Sequence, residues 1–116
     1  MSEKSTEILV RVKMDENNVP QNMEWSASDG PDTKACKAMM LSVWDEKEGA
    51  TLRIDLWTKK MMVEEMKQFF YQSLMTMADT FERATSEKPM ADEMRDFGGY
   101  FAEHMGVPVN NDQAPE

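Results

Sequence analysis

Few side chains here are suited to covalent or acid–base chemistry, and their spacing assembles none of the familiar devices. There is one histidine, His104, and one thiol, Cys36. A lone histidine becomes part of a Ser-His-Asp or Cys-His arrangement only if the fold brings the other members to it. Cys36 has no basic or histidine neighbour in sequence to lower its pKa. It falls on a stripe with Met39, Met40, Val43 and Trp44 and reads as a small buried hydrophobe. Asp92, Glu93, Asp96 and Glu103 can be drawn as a carboxylate cluster around His104. Asp92 and Glu93, however, fall in the first turn of an expected helix and His104 near its end, where the helix dipole favours each of them anyway. No helical Glu-x-x-His pair supports a di-iron site, and no Gly-rich loop follows a strand to cradle a phosphate. The reading is no catalytic residue, no metal ligand and no cofactor.

The elements that must position any site follow from periodicity. Ile8, Val10, Val12 and Met14 alternate with Glu7, Leu9, Arg11 and Lys13, a half-buried strand. The turn cluster Asp15-Glu16-Asn17-Asn18-Val19-Pro20 leads into a second alternating run with Met23, Trp25 and Ala27 on one face, so the two form a β-hairpin. Ser28-Asp29-Gly30-Pro31-Asp32 is expected to start a helix carrying the Cys36 stripe, ended by Asp45-Glu46-Lys47-Glu48-Gly49. A third strand covers Thr51 to Thr58, with Leu52, Ile54 and Leu56 inward and Arg53, Asp55 and Trp57 outward. A long helix is expected from about Val63 to Ala84, burying Met66, Phe69, Phe70, Leu74, Met77 and Phe81, and a last one from about Met90 to Met105, burying Met90, Met94, Phe97, Phe101 and Met105. Gly98-Gly99 breaks the local rule for a helix interior, and close packing on the long helix is the expected reason.

The predicted fold class is therefore α+β, in the order ββαβαα: a three-stranded antiparallel sheet, strand order 2-1-3, with three helices packed mainly on one face. The competing arrangement pairs the third strand with the second. Residues 1–106 are expected to form a single domain and 107–116 a disordered C-terminal tail.

On that sheet the outward face would gather Leu9 and Arg11 with Arg53 and Trp57, a basic and aromatic patch. Aromatic and Arg side chains are common anchors of protein interfaces, so these four are the candidate partner-binding residues. The plainer reading packs Trp57 on Leu9 and pairs the arginines with Asp55 and Glu7. Exposed sheet edges are a second route to a partner.

Composition narrows the classes further. Thirteen basic against 22 acidic side chains give a formal charge of −9, which opposes phosphate-driven nucleic-acid binding and adhesion to anionic membranes. No apolar run approaches the roughly 18 residues of a membrane span. The opening residues do not read as a signal peptide, and a single cysteine suits a reducing compartment, so a cytoplasmic location is expected. The 13 methionines read mostly as core filling.

Several strings carry a family likeness: Asp15 to Pro20, Glu24-Trp25-Ser26-Ala27, Leu52 to Thr58, Glu65 to Phe70, Met77 to Thr85 and Glu93 to Phe97. Together, from Ile8 to about Met105, the chain resembles the gliding-motility protein C family (GldC) of Bacteroidota. The resemblance implies a cytoplasmic accessory protein of gliding motility, a process linked to type IX secretion. It implies no enzymatic activity and no cofactor, and it maps no functional residue. The expected function is non-enzymatic and rests on protein–protein interaction with a component of the motility or envelope machinery, without membrane insertion. The alternatives are a small-ligand-binding domain or minor enzyme with a pocket between sheet and helices, and a homodimer joined through the sheet or the last helix pair.

Overall fold

The structure is a computed structural model that describes residues 4–28, 30 and 32–109. The chain divides into two compact units, Met1–Met61 and Met62–Glu116.

Among its described residues the first unit is built of strands and turns. Strands β1 (Ile8–Met14), β2 (Pro20–Ala27) and β3 (Lys34–Cys36) form one antiparallel sheet in the order β1-β2-β3. The β1–β2 hairpin expected from alternation is present, with Val12 opposite Met23 and Arg11 opposite Glu24. Its turn is built by Asp15, whose Oδ1 accepts the backbone N–H groups of Asn17 (2.8 Å) and Val19 (3.0 Å). Asn18 takes the left-handed conformation, φ 61°, which asparagine tolerates better than most residues. On short β3, Lys34 lies opposite Trp25 and sets its ammonium 5.9 Å from the indole centroid.

Strands β4 (Ala38–Asp45) and β5 (Ala50–Trp57) form a separate two-stranded antiparallel ribbon. Its turn is closed by Asp45, whose Oδ2 accepts the N–H of Glu48 (2.7 Å) and whose carbonyl accepts that of Gly49 (2.9 Å). Gly49 sits at φ 60°, where a side chain would be strained. Beyond β5 the chain is tied to the rest of this unit. Buried Thr58 donates its N–H to the Lys37 carbonyl (2.8 Å), Lys59 Nζ reaches Asp15 Oδ2 (2.6 Å), and Lys60 Nζ reaches Asn22 Oδ1 (2.9 Å).

Two expectations are corrected here. Among the described residues there are two helices and two sheets, not three helices on one three-stranded sheet, and β2 rather than β1 is central in the larger sheet. The expected helix around Cys36 to Trp44 is strand: β3 and β4 occupy it. Cys36, Met39, Met40, Val43 and Trp44 fit helical spacing, but Met39, Leu41 and Val43 also alternate, and short apolar runs support either period. Pairing with β5 decides it, because each of these three meets an apolar partner there. The proposed helix start falls partly outside the described residues, at Asp29 and Pro31.

The second unit is a helical hairpin, α1 (Val63–Thr85) and α2 (Lys88–Met105). The N–H of Met62 is accepted by Glu65 Oε1 (3.0 Å) at the start of α1. Left-handed Ser86 ends α1 and left-handed Gly106 ends α2. Both helices lie within two residues of their expected bounds, but the face they share differs. Tyr71 and Ala78 of α1 and Ala91, Gly98 and Ala102 of α2 are the buried residues, joined by Val107 beyond α2. Phe70, Met77, Met90, Phe97 and Met105, expected inside, are 41–55% exposed. The helices meet about one residue, hence ~100° of rotation, away from their most apolar stripes, because small residues let the backbones approach. Val107 belongs to this packing; residues 110–116 of the expected tail lie outside the described residues.

Candidate functional site

The structure separates the four residues expected to share one face. Leu9 and Arg11 lie on β1 of the three-stranded sheet; Arg53 and Trp57 lie on β5 of the ribbon. Arg11 faces its cross-strand neighbour Glu24 at 3.5 Å, an exposed pair of little energetic weight. Arg53 donates to Asp55 (3.0 Å) on its own strand and to Ser42 Oγ (2.6 Å) across the ribbon. Trp57 lies opposite Ala38, 56% exposed.

What the ribbon does bring together is two unlike faces. Alternation puts Ser42, Trp44, Arg53, Asp55 and Trp57 on one side, a polar network flanked by two open indoles, Trp44 being 70% exposed. The opposite side pairs Met39 with Leu56, Leu41 with Ile54, and Val43 with Leu52. These three pairs are all apolar, the face ending at the turn with Asp45 opposite Ala50, and Leu41, Val43, Leu52 and Ile54 are each about half exposed. The expectation that Leu52 and Ile54 face inward is thus not met. Sequence reading passed over this face although a signal was present: two three-residue apolar alternations flanking a turn with Gly49 are a hairpin pattern.

The groups singled out for chemistry stay apart. Cys36 lies half-buried on β3, and burial pushes its thiol pKa up, away from thiolate reactivity. His104 lies exposed on α2, its ring stacked 3.9 Å from that of Tyr100, and its Nδ1–H donates to the Tyr100 carbonyl (2.9 Å). Among the described residues no group of three or more His, Cys, Asp or Glu is placed to hold a metal ion. A groove of about 610 Å³ within the first unit is lined by Arg11, Lys13, Lys37 and Lys60 with Glu24 and Cys36. Among the described residues no helix is long and apolar enough to cross a membrane.

An α+β chain of a short β unit and a helical hairpin, with a half-exposed apolar ribbon face, is the class the geometry defines. Residues 20–107 match the family described as gliding motility-associated protein GldC-like, and the chain belongs to that family. No curated protein and no solved structure matches it significantly.

Proposed function

We propose that this protein is a non-enzymatic accessory component of bacterial gliding motility, acting in the cytoplasm by contact with another protein of the motility or envelope machinery. Family membership supports the process. The observation that carries the mode of action is the apolar face of the ribbon, Leu41–Ile54 and Val43–Leu52, left half exposed. A two-stranded ribbon is at best marginal alone in water, and a contiguous apolar patch on a chain of this size marks a contact surface. The Trp44, Arg53 and Trp57 side adds residue types that dominate interface energetics. Among the described residues neither ribbon strand pairs with a further strand, and strand addition is a second mode of contact.

The test is genetic and direct. Deleting the gene abolishes or reduces colony spreading, and the wild-type copy restores it. A Leu41→Ser, Ile54→Ser copy, expressed at wild-type level with unchanged circular dichroism, does not restore it. Normal spreading after deletion refutes the motility role; full rescue by the double variant refutes the ribbon as the contact.

A further inference from the structure

The groove of the first unit concentrates positive charge in an acidic chain. Residues 1–61 hold nine of the 13 lysines and arginines. Four of those nine, Arg11, Lys13, Lys37 and Lys60, line this one groove against a single carboxylate, Glu24. That is a local excess of three positive charges on a chain whose formal charge is −9. The lining residues all belong to the first unit. Alternation gathers several of them. Arg11 and Lys13 share one side of β1, and their cross-strand neighbours Glu24 and Asn22 share it with them. The cations are only partly spent within the fold. The Lys13 side chain has no ion pair or hydrogen bond among the described residues. Lys60 Nζ donates to Asn22 Oδ1 (2.9 Å), a partner that carries no charge and that lies across the strand from Lys13. Arg11 meets Glu24 through Nη1 at 3.5 Å, which leaves most of its donor fork unused. Thr58 lines the same groove. It is buried, its hydroxyl accepts the Lys60 N–H (3.3 Å), and its own proton has no acceptor among the described residues. Buried polar groups normally find their partners, and an acceptor is what this one lacks.

We propose that this groove binds a small ligand carrying two phosphate groups. Three observations select that chemistry. The groove is rich in donors and poor in acceptors, and Arg with Lys is the pairing that recognises phosphate oxygens. A terminal phosphate carries about −1.5 to −2 at pH 7 and offers three acceptor oxygens, so two such groups match the local excess of charge where a single carboxylate would not. Arg11 and Lys13 also stand two residues apart on β1, about 7 Å along the strand, a separation that suits two linked anionic groups. Size limits the ligand. The groove encloses about 610 Å³, within the ~300–1,000 Å³ typical of small-molecule clefts. Charge limits it too. A long polyanion would run beyond the groove onto the surface of an acidic chain, whereas a small one inside it feels mainly the nearest cations, because screening at physiological salt falls off over about 8 Å. The site lies on the three-stranded sheet and is separate from the ribbon assigned to the motility partner.

The experiment is calorimetric titration of the full chain with inorganic pyrophosphate and, separately, with ADP. The expected result is one saturable site per chain, weakening as salt rises. Equal affinity for the two probes assigns recognition to the phosphates alone; tighter ADP binding assigns an organic diphosphate. Lys13→Gln weakens binding roughly tenfold, the size of one lost hydrogen bond to a charged group. Glu24→Gln tightens it, because the one carboxylate of the groove no longer opposes the ligand, and a gain of this kind cannot come from misfolding. Lys47→Gln, outside the groove on the β4–β5 turn, leaves binding unchanged. The proposal is overturned if neither probe binds saturably, if Lys13→Gln and Glu24→Gln have no effect, or if Lys47→Gln weakens binding as much as Lys13→Gln. It is overturned equally if a hexaglutamate peptide binds while both phosphate probes do not, which would make the groove a site for acidic peptides.

Discussion

Met75 lies over Gly98 so closely that a carbon placed on Gly98 as a Cβ would stand 2.5 Å from its sulfur, whereas the same atom on Gly99 would meet nothing within 4 Å. Neighbouring glycines in one helix therefore respond oppositely to alanine. Gly99→Ala gains helix propensity of about 0.8–1 kcal/mol and raises the melting temperature. Gly98→Ala gains the same propensity but overpacks the helix interface, which typically costs 1–3 kcal/mol, so a net loss of about 1 kcal/mol is expected. The thioether can move, which keeps the loss small. Urea denaturation of the single variants and of Gly98→Ala with Met75→Ala checks this, since the second change relieves the overlap and the two effects should be non-additive.

Asp15 links the β1–β2 turn to the end of β5. Its hydrogen bond from Lys59, with further bonds from the Val19 and Asn17 amides, lowers its pKa from 3.8 to about 2. A carboxyl lowered by folding stabilises the folded state above its ordinary pKa, and that contribution is lost as pH falls through the folded value. Acidification from about pH 4 towards 2 should therefore weaken wild type more than Asp15→Asn, which has no charge to lose. Carbon NMR titration of the Asp15 carboxyl reads the pKa, and denaturation midpoints across this range read the linkage. Equal acid sensitivity of the two proteins would sink the assignment.

How much of this was legible in sequence depended on whether local pattern and long-range pairing agreed. They agreed for β1, β2, β5 and both helices, where the period was unambiguous and Asn18, Gly49, Pro89 and Gly106 marked the ends. They disagreed between Cys36 and Trp44, where methionines suit either period and only the partner strand settles which face they share. The helix interface was legible at Gly98, whose close packing on the long helix was expected and is seen against Met75, but elsewhere it was missed for a different reason. Hydrophobicity points to Phe70, Met77 and Phe97, while close approach selects Ala78, Ala91, Gly98 and Ala102, one position away. The site residues Arg53 and Trp57 lie together on the ribbon, but Leu9 and Arg11 belong to another sheet, because strand order is not encoded in any single strand.

Arg95 bridges the hairpin. Its guanidinium donates to Asp79 (2.9 Å) and Glu82 (2.7 Å) on α1 and to Asp92 (2.8 Å) on α2. The hydrogen bond to Asp79, then that to Glu82, hold its pKa above the ordinary arginine value. Asp92 is held below the usual carboxylate range by Lys88 first and then by Arg95. Replacing Arg95 with Met keeps the stem but leaves Asp79, Glu82 and Asp92 facing one another without their shared cation. The variant should melt below wild type at neutral pH. Asp92 is lowered on folding partly by Arg95, so that share of the stability is present above the ordinary carboxylate pKa and is lost as pH falls below it, where the gap should narrow. Melting curves from neutral to about pH 2, below the ordinary carboxylate range, test this; a gap constant with pH would mean that Arg95 acts by packing alone.

Trp57 tests whether the polar side of the ribbon contributes to contact. It is 56% exposed, shares its face with Arg53 and Asp55, and stands opposite only Ala38. A side chain so placed adds little to folding, and exposed substitutions usually change stability by within about 0.5 kcal/mol, whereas a Trp that becomes buried against a partner can cost 2 kcal/mol or more when truncated. Trp57→Ala should therefore leave the denaturation midpoint and the strand signal near wild type while failing to restore spreading to a deletion strain. Arg53→Ala should behave in the same direction but more weakly, because its guanidinium is already engaged by Asp55 and Ser42. Wild-type spreading with both changes would confine the contact to the aliphatic side, and a Trp57→Ala chain that unfolds would place the indole in the fold instead of the interface.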